Sequence, residues 1–251
     1  MASQDFPHIL GVYSLLTEEA AGMGGTAKKQ TQITYWYVRL LAPEKYEVQP
    51  LNIHHVPSGI RKEVPELEFL KSYTPEPTYY KTHTVPALKT LTRKIAAGEE
   101  HFKAGELDAA EREFLKALMI DEMNVRANFG LGEVYSEQKE FVKLKKVVDT
   151  LMGISEAFQE EQRERFNSFG INLRKNGHFD ESLRFYHQAL TFNDRDEHVF
   201  FNIARVHFDK GDKDTCVKHL QQALHINPEF KEAQKFLKFC ESSRLAKSPR
   251  L

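Results

Sequence analysis

Cysteine is scarce in this 251-residue chain: Cys216 and Cys240 are the whole supply. Two thiols exclude a disulfide framework, and without a CxxC spacing they exclude a cysteine zinc site. No segment approaches the roughly 20 consecutive apolar residues that span a bilayer. The opening stretch, MASQDFPHILGVYSLL, has no basic region and no long apolar run. No secretory leader is expected, and a cytoplasmic location is. Neither sign of charge dominates: 35 Lys and Arg stand against 36 Asp and Glu, a net charge of -1. That balance gives no overall pull toward nucleic acid or an anionic membrane. Disorder is excluded too, because 41% of the residues are hydrophobic and can build a core.

Proline is nearly absent from the second part. Eight of the ten prolines lie at or before Pro86, and only Pro228 and Pro249 follow. Proline breaks helix interiors, so long helices are confined to the later part. Residues 1–84 are expected to form a small β-rich module with a linker, and residues 85–251 a helical domain. In the module, Thr31–Leu41 is rich in β-branched and aromatic residues, Ala42–Lys45 has turn character, and Tyr46–Leu51 alternates. This predicts a hairpin, with Ile9–Tyr13 as a third strand. Pro65–Leu70 is expected to be a short helix, and Tyr73–Tyr80 an extended linker of polyproline character. Gly22–Gly25 is read as a mobile loop. Its continuation to Lys29 lacks the Gly-Lys-Ser/Thr ending of a phosphate cradle and precedes a strand, not a helix.

A repeat governs the second part. Gly105, Gly177 and Gly211 open similar segments, and Gly177 and Gly211 are 34 residues apart. Gly105 plus 34 falls on Lys139, a degenerate version of the same turn, and a four-residue insertion separates it from Gly177. A small residue stands seven positions before each turn: Gly98, Gly132, Gly170 and Ala204. After each turn comes one helical face: Ala110, Phe114, Ala117 and Leu118; Leu144, Val148, Leu151 and Met152; Ser182, Tyr186, Ala189 and Leu190; Cys216, Leu220, Ala223 and Leu224. Asn227 and Pro228 are placed to start a further helix.

This pattern resembles the tetratricopeptide repeat family over about residues 91–230, with a capping helix near 229–243. The small and aromatic pattern of each first helix, the Gly turn and Asn227-Pro228 carry the match. The second unit departs from it at Lys139 and Leu144, and the first three units lack the terminal Pro. Asn124–Gly132, Phe169–Asn176 and the Tyr35-to-Asn52 stretch are similar to an uncharacterised group of bacterial tetratricopeptide proteins with a short N-terminal β region. The resemblance implies a mostly α fold: a right-handed α-solenoid of about four helix pairs plus a capping helix, with the small β module before it. One helix pair cannot bury its apolar face alone, whereas stacked pairs bury a continuous core.

The resemblance also implies a groove, lined by the first helices, that takes a partner peptide or helix. The candidate groove residues are Phe129, Glu133, Asn167, Arg174, Phe201, Asn202, Arg205 and Phe208. Asn can pair with a guest's backbone amide, and Arg can hold a carboxylate bidentately. Acidic groove residues fall in the first two units and basic ones in the later two. A subset of the family grips the carboxylate of chaperone tails through a Lys/Asn clamp. Here Ile95, Glu99 and Gly130 occupy the matching places, so that tail type is not expected.

No catalytic spacing, HExxH motif or metal pattern emerges, and the eleven histidines are scattered. Cys216 is expected to be an inert core thiol and Cys240 to lie nearer solvent. Tyr35, Trp36 and Tyr37 alternate on a strand, so both sheet faces carry an aromatic ring. The reading is a non-enzymatic interaction or scaffold protein with a protein or peptide partner. It needs no cofactor, metal, nucleic acid or membrane. Two alternatives stay open. One is a cytosolic chaperone for a secreted or assembly subunit. The other is a regulatory subunit that homo-oligomerises through the N-terminal module. The basic tail (Lys235, Lys238, Arg244, Lys247, Arg250) is too short to favour nucleic acid.

Overall fold

A computed structural model describes residues 7–21 and 28–245. The Gly22–Gly25 loop, and Lys247 and Arg250 of the tail, lie outside the described residues. The chain divides into two compact units, Met1–Ala127 and Asn128–Leu251.

The first unit opens with an antiparallel sheet of strands β1 (His8–Ala21), β2 (Lys28–Ala42), β3 (Lys45–Pro50), β4 (Lys62–Pro65) and β5 (Tyr73–Pro75), in the order β4-β3-β2-β1-β5. The expected hairpin is β2 and β3. The candidate third strand is longer than expected: β1 pairs with β2 from His8↔Leu40 to Ala21↔Lys28. One sheet face buries Val38, Val48 and Val64 against Phe69 and Tyr73. Phe69 comes from helix α1 (Glu66–Ser72), the short helix expected after Pro65. Its ring stacks on Tyr46 at 4.1 Å.

The other sheet face is covered by residues of the Tyr73–Tyr80 segment, which is not the extended linker its prolines predict. Only Tyr73–Pro75 is extended, and it adds to the sheet by pairing with Tyr13–Leu15. Pro77 then starts a helix, α2 (Pro77–Tyr79), which runs through a π turn at Tyr80–Thr84 into α3 (Val85–Lys103). Proline's fixed φ suits a first helical turn, where its missing N–H costs nothing. Packing adds a second reason: Tyr79 stacks on Tyr35 at 4.0 Å, and Tyr80 meets Tyr37 at 6.4 Å. Both faces of the Tyr35-Trp36-Tyr37 run are therefore covered within the chain, since Trp36 meets Tyr73 edge-on at 6.1 Å. Farther along the β1–β2 ribbon, the cross-strand partners Leu16 and Ile33 remain exposed.

Helix α3 pairs with α4 (Leu107–Ile120). A Cβ on Gly98 would lie 2.7 Å from the Phe114 ring, so the small residue is what lets the two helices close. Leu91 and Ile95 are buried. The loop after β3 hooks onto this pair: Asn52 Nδ2 donates to the Ile120 carbonyl at 2.8 Å.

Helix α5 (Val125–Glu137) crosses into the second unit, which continues with α6 (Phe141–Met152), α7 (Arg163–Lys175), α8 (Phe179–Phe192), α9 (Glu197–Asp209), α10 (Lys213–Ile226) and α11 (Lys231–Leu245). The fold class is the expected one, mostly helical repeats after a β module. The turn positions found by alignment share one geometry. Gly105, Gly177 and Gly211 have φ of 77°, 83° and 84°, and Lys139 has φ of 59°. Each turn closes with the same pair of backbone bonds. At the last one, Gly211 N–H donates to Phe208 O and Asp212 N–H to His207 O, both at 2.9 Å. This is the left-handed helix end that glycine adopts without steric cost. The inserted segment forms two short 3-10 turns, Ser155–Phe158 and Glu160–Gln162. It is a core element, because Phe158 is buried against Phe185 at 5.0 Å and Phe192 at 5.5 Å.

Two expectations need correction here. Asn227 does not cap α11 directly; its Oδ1 accepts from Glu229 N–H at 3.1 Å in a turn, and the helix starts at Lys231. Cys240 is fully buried, its Sγ 3.8 Å from that of Cys216. The last helix covers the last repeat, so its inward face is as buried as any repeat core.

Candidate functional site

In the second unit, α7, α9 and α11 present a common face. It is built by helical spacing: Asn167, Ile171 and Lys175 form one stripe on α7; Phe201, Arg205 and Phe208 one on α9; Lys235, Phe236 and Phe239 one on α11. The phenylalanines of α9 and α11 form a contacting row. Phe201 lies 6.1 Å from Phe236, Phe236 5.1 Å from Phe208, and Phe208 5.9 Å from Phe239. Phe201, Phe208 and Phe236 are half-buried, and Phe239 is 57% exposed. Exposed Arg205 stands over the Phe201 ring at 5.9 Å.

Of the eight candidate residues, Phe201, Arg205 and Phe208 lie on this accessible surface. Asn202 and Asn167 bond to each other, Asn202 Nδ2 donating to Asn167 Oδ1 at 3.2 Å. Asn202 is buried, so it ties α9 to α7 and is not held out to a guest. Arg174 is also buried, and its guanidinium is ion-paired with Asp209. The carboxylate expected from a guest is supplied by the protein, because an unpaired buried cation is too costly to keep. Glu133 is half-buried. Phe129 cannot line an open groove: it is fully buried, with Phe169 at 5.4 Å and Phe185 at 6.0 Å. An apolar ring at that phase enters the core when neighbouring rings are there to receive it. The two polar ties, Asn167–Asn202 and Arg174–Asp209, hold α7 and α9 in register beneath the accessible side chains.

Phe236 and Phe239 were missed as part of this face. The signal was available, since their spacing continues the face of Phe201 and Phe208 into the helix after Pro228.

Next to this face lies a titratable cluster. His207 on α9 and His219 on α10 stack with centroids 5.5 Å apart and planes 14° apart. His207 Nδ1 is 3.5 Å from Asp212, and buried His219 Nδ1 has no hydrogen-bond partner. Burial holds both imidazoles below their ordinary range; Asp212 pulls against it at His207, while the neighbouring His207 adds to it at His219. The Cys216 thiol is pushed up to about 12, chiefly by burial, which keeps it protonated and unreactive. Among the described residues, no group of three or more His, Cys, Asp or Glu converges as a metal site would require. A separate cavity of about 680 Å³ is bordered by Asp194, Arg195, Phe200, Lys218, His225 and Ile226. None of the described helices is long and apolar enough to cross a membrane.

Comparison with known proteins follows the same lines. Residues 197–230, which are α9, α10 and the turn beyond, match the family model of the tetratricopeptide repeat. The photosystem I assembly protein Ycf3 of Synechococcus elongatus is 37% identical over 68 residues, 26% of this chain and 39% of that protein. The chain thus spans about two fifths of the length of that relative. Among solved structures, a MamA protein covers 62% of this chain and 83% of its own, at 17% identity and a TM-score of 0.47. Pseudomonas aeruginosa pilF covers 63% and 70%, at 16% identity and the same TM-score. The repeat at 197–230 is therefore similar to the tetratricopeptide repeat, and the other helix pairs share its turn geometry, with Gly98 and Gly170 lying under the rings of Phe114 and Tyr186.

Proposed function

We propose that the chain is a non-catalytic, cytoplasmic interaction protein that receives a segment of a partner protein on the face of α7, α9 and α11. The observation that carries this reading is the phenylalanine row with Arg205 above it. Rings left half-covered on a rigid helical face offer apolar contact, and the polar ties beneath them keep the face preorganised. Aromatic rings and arginine are the residue types that dominate binding energy at protein interfaces.

The test is selection of a displayed random-peptide library on the immobilised protein, with Phe239→Ser/Arg205→Glu as counter-target. Both side chains are exposed, so the variant keeps its fold. Enrichment of peptides that bind the wild type and not the variant supports the reading. Peptides that bind both equally would place the site elsewhere. A second reading is favoured by the 68-residue similarity to an assembly protein: the partner is a subunit held while a larger complex is built. In that case the complex loses the partner once assembly is complete, which a pulse-chase of the captured complex measures.

A further inference from the structure

We propose that the segment taken by this face is acidic and apolar in alternation, with carboxylates flanking bulky apolar side chains. This rests on the partner-binding reading above and adds the chemistry of the guest.

The argument is one of charge left over. Lys175, Arg205 and Lys235 are all exposed on the face. None of the three has an ion-pair partner among the described residues. Arg205 has the Phe201 ring beneath it. Of the acids on these helices, Asp209 is held by Arg174, and Glu232, three residues before Lys235, forms no ion pair with it. The cations also stand where the rings are. Arg205 falls between Phe201 and Phe208 on α9, and Lys235 precedes Phe236 by one residue and Phe239 by four. A guest that buries an apolar side chain on the row brings its neighbouring residues within reach of these cations. A carboxylate there gains a charge-assisted bond, bidentate at Arg205. A lysine there meets like charge beside a low-dielectric aromatic floor and is rejected.

The experiment is fluorescence anisotropy with three fluorescein-labelled synthetic peptides of equal length. One alternates Asp or Glu with Phe or Leu, one replaces each acid by Lys, and one keeps the acids but replaces each apolar residue by Ser. The first should bind at least about tenfold more tightly than either of the others, a difference of about 1.4 kcal/mol. Its affinity should fall as salt is raised. Arg205→Glu/Lys235→Glu should lose that preference or reverse it toward the lysine peptide, and Phe239→Ser should weaken the first peptide. Thermal melts of the full chain check that each variant is folded, and Arg205→Ala repeats the test with a smaller change. If the lysine peptide binds wild type as tightly as the acidic one while Phe239→Ser weakens both, the charge rule is overturned and the partner-binding face survives. If the acidic peptide binds but the double charge reversal leaves it unchanged, the charge rule is also overturned. If no peptide binds, and library selection also returns none, both readings fall.

Discussion

Gly170 shows how much a single residue controls in this chain. A Cβ built there would sit 2.4 Å from Tyr186 Cζ and 2.6 Å from its hydroxyl oxygen, and Tyr186 is fully buried. Overpacking a rigid core costs about 1–3 kcal/mol, and a ring fixed on all sides puts this site at the upper end. Gly170→Ala is therefore expected to lose about 3 kcal/mol in a urea titration. The histidines act through protons instead. Burial lowers His178, His207 and His219 relative to the ordinary value of 6.5. The folded chain resists protons that the unfolded chain accepts. Stability is then level above about pH 6.5 and falls as pH drops through and below that value. The melting temperature should decline from pH 7 to pH 5, and His219→Gln should flatten part of the decline.

At the scale of an element, the four repeat turns form an internal comparison. Three have glycine with nothing near the missing Cβ. The fourth has Lys139 in the same left-handed region, at φ 59°. A left-handed conformation costs an L-residue roughly 1–2 kcal/mol, offset in part by the entropy glycine would lose on folding. Lys139→Gly should raise stability by about 1 kcal/mol, read as a higher urea midpoint at unchanged slope. The periodic features of these helices were legible beforehand. Turn position, the small residue seven places earlier and the core face of each second helix all follow from local spacing. Residues 73–80 were not legible. Two prolines and two threonines make that stretch look extended, yet Tyr73–Pro75 becomes a sheet edge and Pro77 starts a helix. Rings on a distant strand, Tyr35 and Tyr37, fix Tyr79 and Tyr80, and no local signal carries that contact.

For the whole molecule, the consequence of stacking is that the end must be covered. Helix α11 lies over the last pair, where Cys216, Leu220, Ala223, Ala233 and Cys240 share one buried cluster. In the intact chain both thiols should resist a disulfide-exchange reagent until the protein is unfolded, and then both should react. Ending the chain after Pro228 strips that cover. Cys216 should then react under native conditions, and circular dichroism should lose more helical signal than α11 alone supplies, because the exposed pair frays.

The sequence by itself determined the class of fold, the repeat length, the turn sites and the first-helix position of Phe201, Arg205 and Phe208, since all of these follow from spacing along one helix. Tertiary structure alone decided which polar groups are already satisfied within the chain. Arg174 found Asp209, Asn202 found Asn167, and Phe129 met Phe169 and Phe185, each 35 or more residues away. A side chain's own identity says what it can bond. Whether that capacity is already satisfied depends on what the next helix brings within 3 Å or so, and helical periodicity carries no record of it.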